Sequence, residues 1–358
     1  MTPTQANPGS RYIIRELLGR GRWKEVYRAV VRGEFHDRAL ARFIEEPDAT
    51  TLLGEIKILM PRAGKERLEN IARLYNVFKG DDNYVYLEEE LLYRPLEALA
   101  PLKVVDRFFR VARDLCSGLA SLHGNGRIHR DLKLDNCGID HSGTAKIFDL
   151  GSVTSEGGQV KGSILSRAPE LFAPDAVCTK ASDVWAMGAV LFALRTGGDY
   201  PFVFASEVRQ RPHEGIERER FDAKVSERVK ATGAEALLLA RVNDEFPNGS
   251  GKLIAAMLNF EPVKRPTAAD AADRWRQLLN SWSPAQPADK EDKTDIEFQD
   301  IVGYLTAVLQ GATEMSSHQW EAVCNAVEKI EKNLPADKLP KLHELQQKAA
   351  EMRQAVSV

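Results

Sequence analysis

The sequence predicts an α+β protein, with short strands in the first part of the chain and helices after them. Blocks such as Tyr12 to Leu18 and Tyr84 to Leu87 are rich in residues typical of strands. Val105 to His123 instead carries apolar residues at the spacing of an amphipathic helix. Ile128 to Asn136 is a polar cluster between apolar runs, and it is too rich in hydrogen-bonding groups to be ordinary core. The chain is organised around this cluster.

Length and composition limit the classes of protein to consider. The 358 residues suffice for one large domain and a small extra module, and 43% hydrophobic residues is ordinary for a globular protein. A formal net charge of −3 gives no bulk basic field for nucleic acid or an anionic membrane. No apolar run reaches roughly 18 residues, and Met1 to Ser10 lacks the apolar core of a signal peptide. We therefore expect no nucleic-acid partner and no membrane span.

The cysteines favour a reducing compartment. All four are far apart, and their spacing matches neither a metal site nor a disulfide framework: Cys116, Cys137, Cys178 and Cys324. We therefore expect reduced structural thiols in a cytoplasmic protein.

The polar cluster contains groups that can act together on a phosphoryl transfer. Asp131 would accept the proton of an incoming hydroxyl, and Lys133 would neutralise charge on the transferred group. Asn136 would hold a metal ion through its side-chain oxygen. A short β run then ends at Asp149, and a carboxylate at a strand end suits a second metal contact.

Four motifs in a fixed order now carry a family resemblance. They are H-R-D-L-K-x-x-N at 129–136, D-L-G at 149–151, A-P-E at 168–170 and D-V-W-x-x-G at 183–188. Over roughly residues 11–282 the chain resembles the eukaryotic-type protein kinases. The resemblance implies a two-lobed kinase-like fold, with a small five-stranded β lobe and one main helix at about 11–90 and a larger helical lobe at about 91–282. It also implies ATP and Mg²⁺, with Mn²⁺ as an alternative cation.

A glycine hairpin is the expected cover of the nucleotide. Gly19 and Gly21 stand between two predicted strands, where their backbone amides can approach phosphate oxygens closely. Val26 follows in the second strand and is expected to line the same site. The family usually has a third glycine, but Lys24 stands in its place.

The next strand also departs from the family. Kinases usually have V-A-I-K there, with a lysine that contacts the phosphates, whereas residues 38–44 read R-A-L-A-R-F-I. If Ala39 matches the family alanine, Ala41 takes the place of the lysine, and a one-residue slip would put Arg42 there. Residues 39, 41 and 43 share one face of a strand, so the alternation favours Ala41.

The with-no-lysine branch of the kinases offers a solution. These kinases have a small residue on the strand and take the lysine from a loop of the type G-x-G-x-F-K-x-V-Y, which is similar to Gly19 to Tyr27. The resemblance implies that Lys24 replaces the missing strand lysine, and Arg42 is the competing candidate. That branch can also bind chloride at D-L-G, but Ser152 stands here in place of an apolar residue, which disfavours such a site.

Two further nucleotide contacts follow from the resemblance. Residues 50–60 are predicted to form the main helix of the small lobe, with Glu55 as the partner of the phosphate-binding lysine. Residues 88–91, E-E-E-L, fall at the hinge between the lobes, where backbone groups at Glu89 and Leu91 would hold adenine. Solvent exposure is the only account that the sequence offers for three consecutive glutamates.

The segment from Gly151 to Ala168 matches an activation loop. It is short and polar, and kinases with an arginine at the position of Arg130 often neutralise it with a phosphate on this loop. Five hydroxyl residues are present: Ser152, Thr154, Ser155, Ser163 and Ser166. Residues 162–167 resemble the family's substrate-docking G-T-x-x-Y segment, in which Ser163 would hydrogen-bond Asp131 and Lys133. This segment and Lys133 favour a serine or threonine acceptor over tyrosine.

Two polar contacts are expected to be structural. Glu170 of A-P-E should pair with Arg265 in the segment E-P-V-K-R-P-T, which resembles the family's D-P-x-x-R-P-T. Asp183 should bind the backbone of the catalytic loop.

The remaining chain is predicted to be a separate helical module. Residues 1–10 are expected to be flexible, and the Pro- and charge-rich residues 283–294 are typical of a linker. Residues 295–358 show three amphipathic helices, which either pack on each other or dock on the kinase domain or on a partner.

The sequence therefore favours a serine/threonine protein kinase that acts on protein substrates. A pseudokinase, a nucleotide-binding or scaffold module without chemistry, is the alternative because the strand lysine is missing. Retention of Asp131, Asn136 and Asp149 disfavours it. A kinase of small molecules is a weaker interpretation, because the peptide-docking segment at 162–170 is present.

Overall fold

The computed structural model describes residues 6–21, 24–32, 37–44, 68–140, 142–212, 215–246 and 249–282, and residues 339, 340, 343, 344 and 347 of the tail. The chain divides into two units, Met1–Trp282 and Ser283–Val358. Outside the described residues lie Trp23, the predicted helix at 50–60 with Glu55, the linker at 283–294 and the first two predicted tail helices. The five described tail residues have helical backbone.

The small lobe is built on a five-stranded antiparallel sheet in the order β1-β2-β3-β5-β4. This confirms the predicted sheet. Asn7 and Gly9, which lie in the segment expected to be flexible, bond to the turn at Asp82 and to Tyr12 respectively. The strands are β1 Tyr12–Arg20, β2 Lys24–Val31, β3 Asp37–Phe43, β4 Leu74–Lys79 and β5 Val85–Glu90.

The two faces of this sheet bury different side chains, because successive residues of a strand point to opposite sides. One face carries an aromatic and aliphatic cluster that includes Tyr12, Leu40 and Tyr86. The other face carries Ala41 and Leu87, packed with other apolar side chains. The second face continues towards the catalytic loop.

The large lobe is helical, as predicted for the two-lobed fold. Its longest helix, α1, buries Phe108 and Phe109 against Trp275 of the last helix, α7, with ring centroids 5.7 and 5.6 Å apart. The described helices are α1 Val105–Gly124, α2 Lys180–Thr196, α3 Ala205–Arg209, α4 Gly215–Lys230, α5 Ala234–Glu245, α6 Ser250–Met257 and α7 Ala268–Ser281.

Helix α2 forms the centre of this lobe. Its residues from Ser182 to Leu194 are buried, so it is apolar on all sides, as a helix surrounded by others must be. Thr179 caps its first turn in a reciprocal capping box with Ser182, and Gly197 ends it with a positive φ of 91°. This rigid helix carries Asp183 to the catalytic loop.

Short strands and 3₁₀ turns order the loops that follow the small lobe, including the catalytic loop and the activation segment. Strands β6, β8 and β9 form one small sheet, β7 pairs with β10, and β11 pairs with β12. The strands are β6 Arg94–Pro95, β7 Arg127–Ile128, β8 Cys137–Ile139, β9 Ala145–Ile147, β10 Thr154–Ser155, β11 Gly158–Gln159 and β12 Val177–Cys178. The 3₁₀ turns are Leu96–Leu99, Leu134–Asn136, Leu150–Ser152, Pro169–Phe172 and Pro262–Lys264.

Two whole-chain expectations can be compared with the described residues. None of their helices combines the length and the apolar composition that crossing a membrane requires. Cys116, Cys137 and Cys178 are buried free thiols, while Cys324 lies outside the described part.

Candidate active site

The catalytic loop begins where β7 ends and is held by one buried carboxylate. Asp183 accepts hydrogen bonds from the backbone N–H groups of His129 at 2.6 Å and Arg130 at 2.9 Å. It also lies 3.1 Å from Nε2 of His123. This confirms the predicted role of Asp183, and the anchored backbone allows Arg130 a positive φ of 71°.

His129 is completely buried beneath this loop, with none of its surface exposed. Its Nδ1 accepts a 3.3 Å hydrogen bond from the backbone N–H of Asp131, so the imidazole helps to fix the backbone of Asp131. Burial lowers the pKa of His129 below its ordinary value, against the opposing pull of Asp183, Asp131 and Asp149. The ring is therefore a neutral structural support at neutral pH.

Asp131 is surrounded by donors that aim its carboxylate. The side-chain amide of Asn136 donates to the backbone carbonyl of Asp131 at 2.8 Å and to its carboxylate at 3.4 Å. Nζ of Lys133 lies 3.8 Å from the same carboxylate. The structure therefore brings three of the predicted site residues, Asp131, Lys133 and Asn136, into one cluster.

Ser163 contacts Asp131 in a different way from the one expected. Its backbone N–H, and not its hydroxyl, donates to Oδ1 of Asp131 at 2.9 Å. The hydroxyl instead accepts a bond from the N–H of Leu165 at 3.3 Å. The predicted contact with Asp131 exists, but the backbone makes it, and among the described residues no hydrogen bond joins Ser163 to Lys133.

Lys24 and Asp149 meet across the cleft between the lobes. Nζ of Lys24 lies 3.3 Å from Oδ1 of Asp149, and the backbone of Asp149 has a positive φ of 55°. Burial raises the pKa of Asp149, but the ammonium of Lys24, with His129 and Lys133, outweighs this and lowers it below the usual range. Asp149 is therefore an anion aimed at a cation from the glycine hairpin.

Arg42 is not part of this cluster. It is buried on the opposite face of the sheet, where its guanidinium forms an ion pair with Glu25 and lies 3.5 Å from Asp82. The guanidinium also stacks 4.7 Å from the ring of Tyr84. Lys24 pairs with Phe43, the neighbour of Arg42, so strand alternation places the two cations on opposite faces of the sheet. The acidic and aromatic partners of Arg42 explain why a cation is tolerated in its buried position.

The predicted nucleotide pocket lies on the Lys24 face of the sheet. Val26 pairs with Ala41, and Ala41 pairs with Leu87, so these small and apolar residues form one apolar wall. Ala39 is two residues along the same strand and pairs with Glu89 at the end of β5. Leu91 follows that strand and is half-buried.

The glycines leave room above this wall. Among the described residues, a Cβ atom built on Gly19 would meet no atom within 4 Å, and one on Gly21 would meet only the backbone oxygen of Lys24, at 3.6 Å. Neither glycine has a positive φ, so the chain conformation by itself does not require them. The space above Gly19 fits a bound phosphate chain, whereas the N–H of Gly21 already donates to the carbonyl of Lys24 at 2.8 Å.

The donor atoms also fit a divalent cation. The carboxylate of Asp149 and the amide oxygen of Asn136 are hard oxygen donors of the kind that Mg²⁺ prefers. Among the described residues no group of three histidine, cysteine or acidic side chains could hold a metal ion. A cation here would need further oxygens, and phosphate oxygens of a nucleotide would supply them.

Glu88 and Glu90, the first and the last of the three hinge glutamates, have different partners. Glu88 is only 2% exposed and accepts a 2.8 Å bond from the hydroxyl of Tyr12, so its expected solvent exposure was wrong. It also lies 3.3 Å from Arg38. Glu90 forms an ion pair with Lys146, which links the hinge to β9.

The activation segment is held by the catalytic loop itself. Nε of Arg130 donates to the carbonyl of Ser152 at 2.6 Å, and its Nη1 donates to that of Gln159 at 3.3 Å. The pairing of β10 with β7 and of β11 with β12 holds the rest of the segment. At its far end Glu170 forms two 2.7 Å hydrogen bonds with Arg265, which confirms the expected structural pair.

Comparison with known proteins identifies the class that this fold and site define. The family model described as "Protein kinase domain" matches residues 12–275, so the chain belongs to the protein kinase family. A probable serine/threonine-protein kinase of Dictyostelium discoideum is 29% identical over 205 residues, which are 52% of this chain and 39% of that protein. The serine/threonine-protein kinase PrkC of Bacillus subtilis is 29% identical over 212 residues, 56% of this chain and 30% of that protein.

A third relative is matched over most of its length. The extracellular signal-regulated kinase 2 of D. discoideum is 27% identical over 290 residues, 73% of this chain and 78% of that protein. For the first two relatives, by contrast, this chain spans well under half of the protein.

Sequence reasoning missed two basic residues beside the catalytic loop. Lys161 directly precedes the docking segment and Arg167 is its last residue, and both line a shallow groove with Arg130. The sequence could have indicated both, because Arg167 stands directly before the A-P-E motif and Lys161 directly before Gly162.

Proposed function

We propose that this protein is a serine/threonine protein kinase in which Lys24 replaces the missing strand lysine. The observation that carries the proposal is the 3.3 Å contact between Lys24 and Asp149, in a site that also contains Asp131 and Asn136. The names of the relatives, several of them serine/threonine-protein kinases, support the same activity.

Each residue has a role that follows from its position. Asp131 accepts the proton of the substrate hydroxyl, and the amide of Asn136 keeps the catalytic backbone in place. Lys24 and Lys133 provide positive charge on two sides of the transferred group. Asp149 and Asn136 would hold Mg²⁺, which when bound with ATP neutralises phosphate charge. The residues thus act mainly by positioning and by charge.

The pseudokinase alternative rests on Ala41, which leaves β3 without a lysine. A scaffold has no need for an aimed carboxylate at Asp131, a cation at Lys24 and a metal-ligand pair together. We assign a protein substrate with a serine or threonine acceptor on two grounds. One is Lys133, and the other is the docking segment at 162–167, which lies against Asp131.

The test is transfer of radiolabelled phosphate from ATP to the protein itself and to a basic protein substrate. We expect Lys24→Met and Asp131→Asn each to lower the rate by roughly a hundredfold or more, because each removes transition-state charge or the proton acceptor. Arg42→Met removes an equal charge from the opposite face of the same sheet and should retain transfer, once its lower melting temperature is allowed for.

Nucleotide-induced shifts in melting temperature separate binding from chemistry in the same variants. Loss of transfer in Arg42→Met, with transfer kept in Lys24→Met, would show that the phosphate-binding cation was assigned wrongly. Nucleotide binding by the wild type without transfer, in Mg²⁺ or Mn²⁺, would establish the pseudokinase instead.

A further inference from the structure

The ammonium of Lys24 contacts an aromatic ring as well as a carboxylate. Its Nζ lies over the ring of Phe43, 5.3 Å from the centroid, and 3.3 Å from Oδ1 of Asp149. Lys24 and Phe43 are direct cross-strand partners of β2 and β3, so their side chains leave the sheet on the same face. The distance is that of a cation–π contact, in which the negative face of a ring attracts a cation.

Phe43 is held firmly in the place that this contact needs. The residue is only 8% exposed, and it packs with Ala41, Leu74 and Leu87 in the apolar cluster of this face of the sheet. Close packing of this kind fixes the plane of a ring, whereas the side chain of a lysine is a flexible four-carbon stem. The ring of Phe43 therefore restricts the positions that the ammonium of Lys24 can take.

The small residue at the place of the family's lysine explains why such a restriction is needed. A lysine at Ala41 would start from within β3, whereas Lys24 starts from the first residue of β2, beside the glycine hairpin. Ala41 is buried and offers only a methyl group. Phe43 lies two residues further along the same face of β3, and its ring does reach the ammonium.

A ring and a carboxylate hold a cation in different ways. Asp149, the carboxylate in contact with Lys24, is also the one that would hold Mg²⁺, so a metal ion would compete with Lys24 for the same oxygens. The ring of Phe43 has no net charge, so it orients the ammonium and leaves its charge available to a phosphate. Phe43 would thus keep Lys24 at the site while Asp149 binds the metal.

We propose that Phe43 is a positioning residue for the reaction, because its ring holds the ammonium of Lys24 at the place where the phosphates of ATP bind. The inference rests on the proposed function and deepens it, since it names the side chain of β3 that supports the displaced cation. Phe43 acts through Lys24 and not on the reacting atoms.

The first test measures the affinity for ATP in the presence of Mg²⁺ by isothermal titration calorimetry. Phe43→Leu keeps an apolar side chain but removes the ring, and we expect it to weaken binding by about three- to tenfold, the size of a cation–π contact at a partly exposed site. Phe43→Tyr keeps the ring and should bind ATP within about twofold of the wild type.

Phe78→Leu is the matched control. Phe78 belongs to the cluster on the opposite face of the same sheet, where its ring stacks 4.8 Å from that of Tyr12 and 5.4 Å from that of Tyr86. Its replacement also removes a ring from the small lobe and should lower the melting temperature. The affinity for ATP should nevertheless equal that of the wild type.

A double-mutant cycle separates positioning from a general loss of packing. In Lys24→Met the ring has no ammonium to hold, so the further change Phe43→Leu should alter the affinity for ATP by less than about twofold. An equal loss in both backgrounds would overturn the proposal, because the ring would then act on the fold and not through Lys24. Wild-type affinity in Phe43→Leu would overturn it as well.

An NMR signal from the protein without nucleotide tests the contact itself. Reductive methylation with ¹³C keeps the charge of a lysine, and the face of a ring shifts the signals of methyl groups above it upfield. The signal that disappears in Lys24→Met should lie upfield of the other lysine signals in the wild type and in Phe43→Tyr, and should return towards them in Phe43→Leu. The same position in all three proteins would contradict the proposed contact.

These measurements also keep the inference apart from the kinase proposal. If the wild type binds ATP but transfers no phosphate, the kinase activity fails, while coupling between Phe43 and Lys24 in ATP binding still supports the positioning role. If phosphate transfer and ATP binding require Lys24 but not the ring of Phe43, the kinase proposal stands and this inference fails.

Discussion

Lys24 and Arg42 are cations on neighbouring strands, and their surroundings give them different tasks. Lys24 faces Asp149 across the cleft, where an ammonium lowers the pKa of that carboxylate. Arg42 is enclosed by Glu25, Asp82 and tyrosine rings, so its charge is already compensated within the sheet. At the scale of single residues, the partners and not the residue type decide whether a cation lies at the candidate site or within the sheet.

His129 makes a prediction about pH. Burial lowers its pKa below the ordinary value of about 6.5, so the unfolded chain binds a proton more readily than the folded one. The free energy of unfolding should therefore fall as pH drops below about 6.5, with a slope of at most about 1.4 kcal/mol per pH unit from this group. Chemical denaturation between about pH 7.5 and 5 measures it.

His129→Phe is the comparison for that measurement. It removes the titrating group and fills the same buried space, while the carboxylates remain common to both proteins. The variant should be less stable at neutral pH, because it loses the acceptor for the N–H of Asp131. It should also lose less stability on acidification than the wild type. Parallel curves for the two proteins would show that His129 is not the group responsible.

At the scale of elements, short contacts between loops matter as much as the long helices. The turn Pro169–Phe172 at the end of the activation segment is joined to the turn Pro262–Lys264 before α7 by the pair of Glu170 and Arg265. The Arg265 side chain is completely buried, and it also donates to the carbonyls of Asn259 and Ala181. This pair is the point at which the docking segment is attached to the large lobe.

Arg265→Met should therefore destabilise the protein by about 3 kcal/mol or more, because it leaves Glu170 without its partner in a partly buried site. Urea denaturation measures the loss. Lys264→Met is the matched control: Lys264 precedes Arg265 and pairs with Glu261, but both side chains are exposed, so no measurable change is expected. Equal effects of the two substitutions would contradict a structural role for the buried pair.

At the scale of the molecule, the site and both lobes are drawn from one unit, Met1–Trp282. The large-lobe core combines residues from Ile71 to Trp275, and the ring of Trp282 lies 6.1 Å from that of Phe109. No described tail residue contributes to these clusters. Because the described core is assembled within Met1–Trp282, we expect this unit to fold without residues 283–358.

A chain that ends after Trp282 should unfold cooperatively and should show the same nucleotide-induced shift in melting temperature as the full chain, because ligand linkage depends on the site alone. Calorimetry with and without Mg²⁺ and an ATP analogue measures both. A chain that ends after Thr267 lacks α7 and exposes Phe108 and Phe109, and it should not fold. A smaller nucleotide shift in the 1–282 chain would show that the tail takes part in binding.

The family, the order of the catalytic motifs and the five strands of the small lobe could all be predicted from the sequence. These features depend on local patterns: residues close together in one loop, alternation along a strand, and glycine or proline at turns. The structural roles of Asp183 and Arg265 could be predicted as well, because each stands at a set place in a recognisable motif. Alternation along β3 likewise predicts that Arg42 points away from the face of Ala41.

Where no motif marks the two partners, contacts between groups far apart in the chain depended on the tertiary structure. It placed Lys24 against Asp149, buried Glu88 beside Tyr12, and gave the contact of Ser163 with Asp131 to a backbone N–H. Burial and partners come from segments distant in sequence, so no local pattern contains them. They set the charge of a group and the direction in which it points, and these are the properties on which binding and catalysis depend.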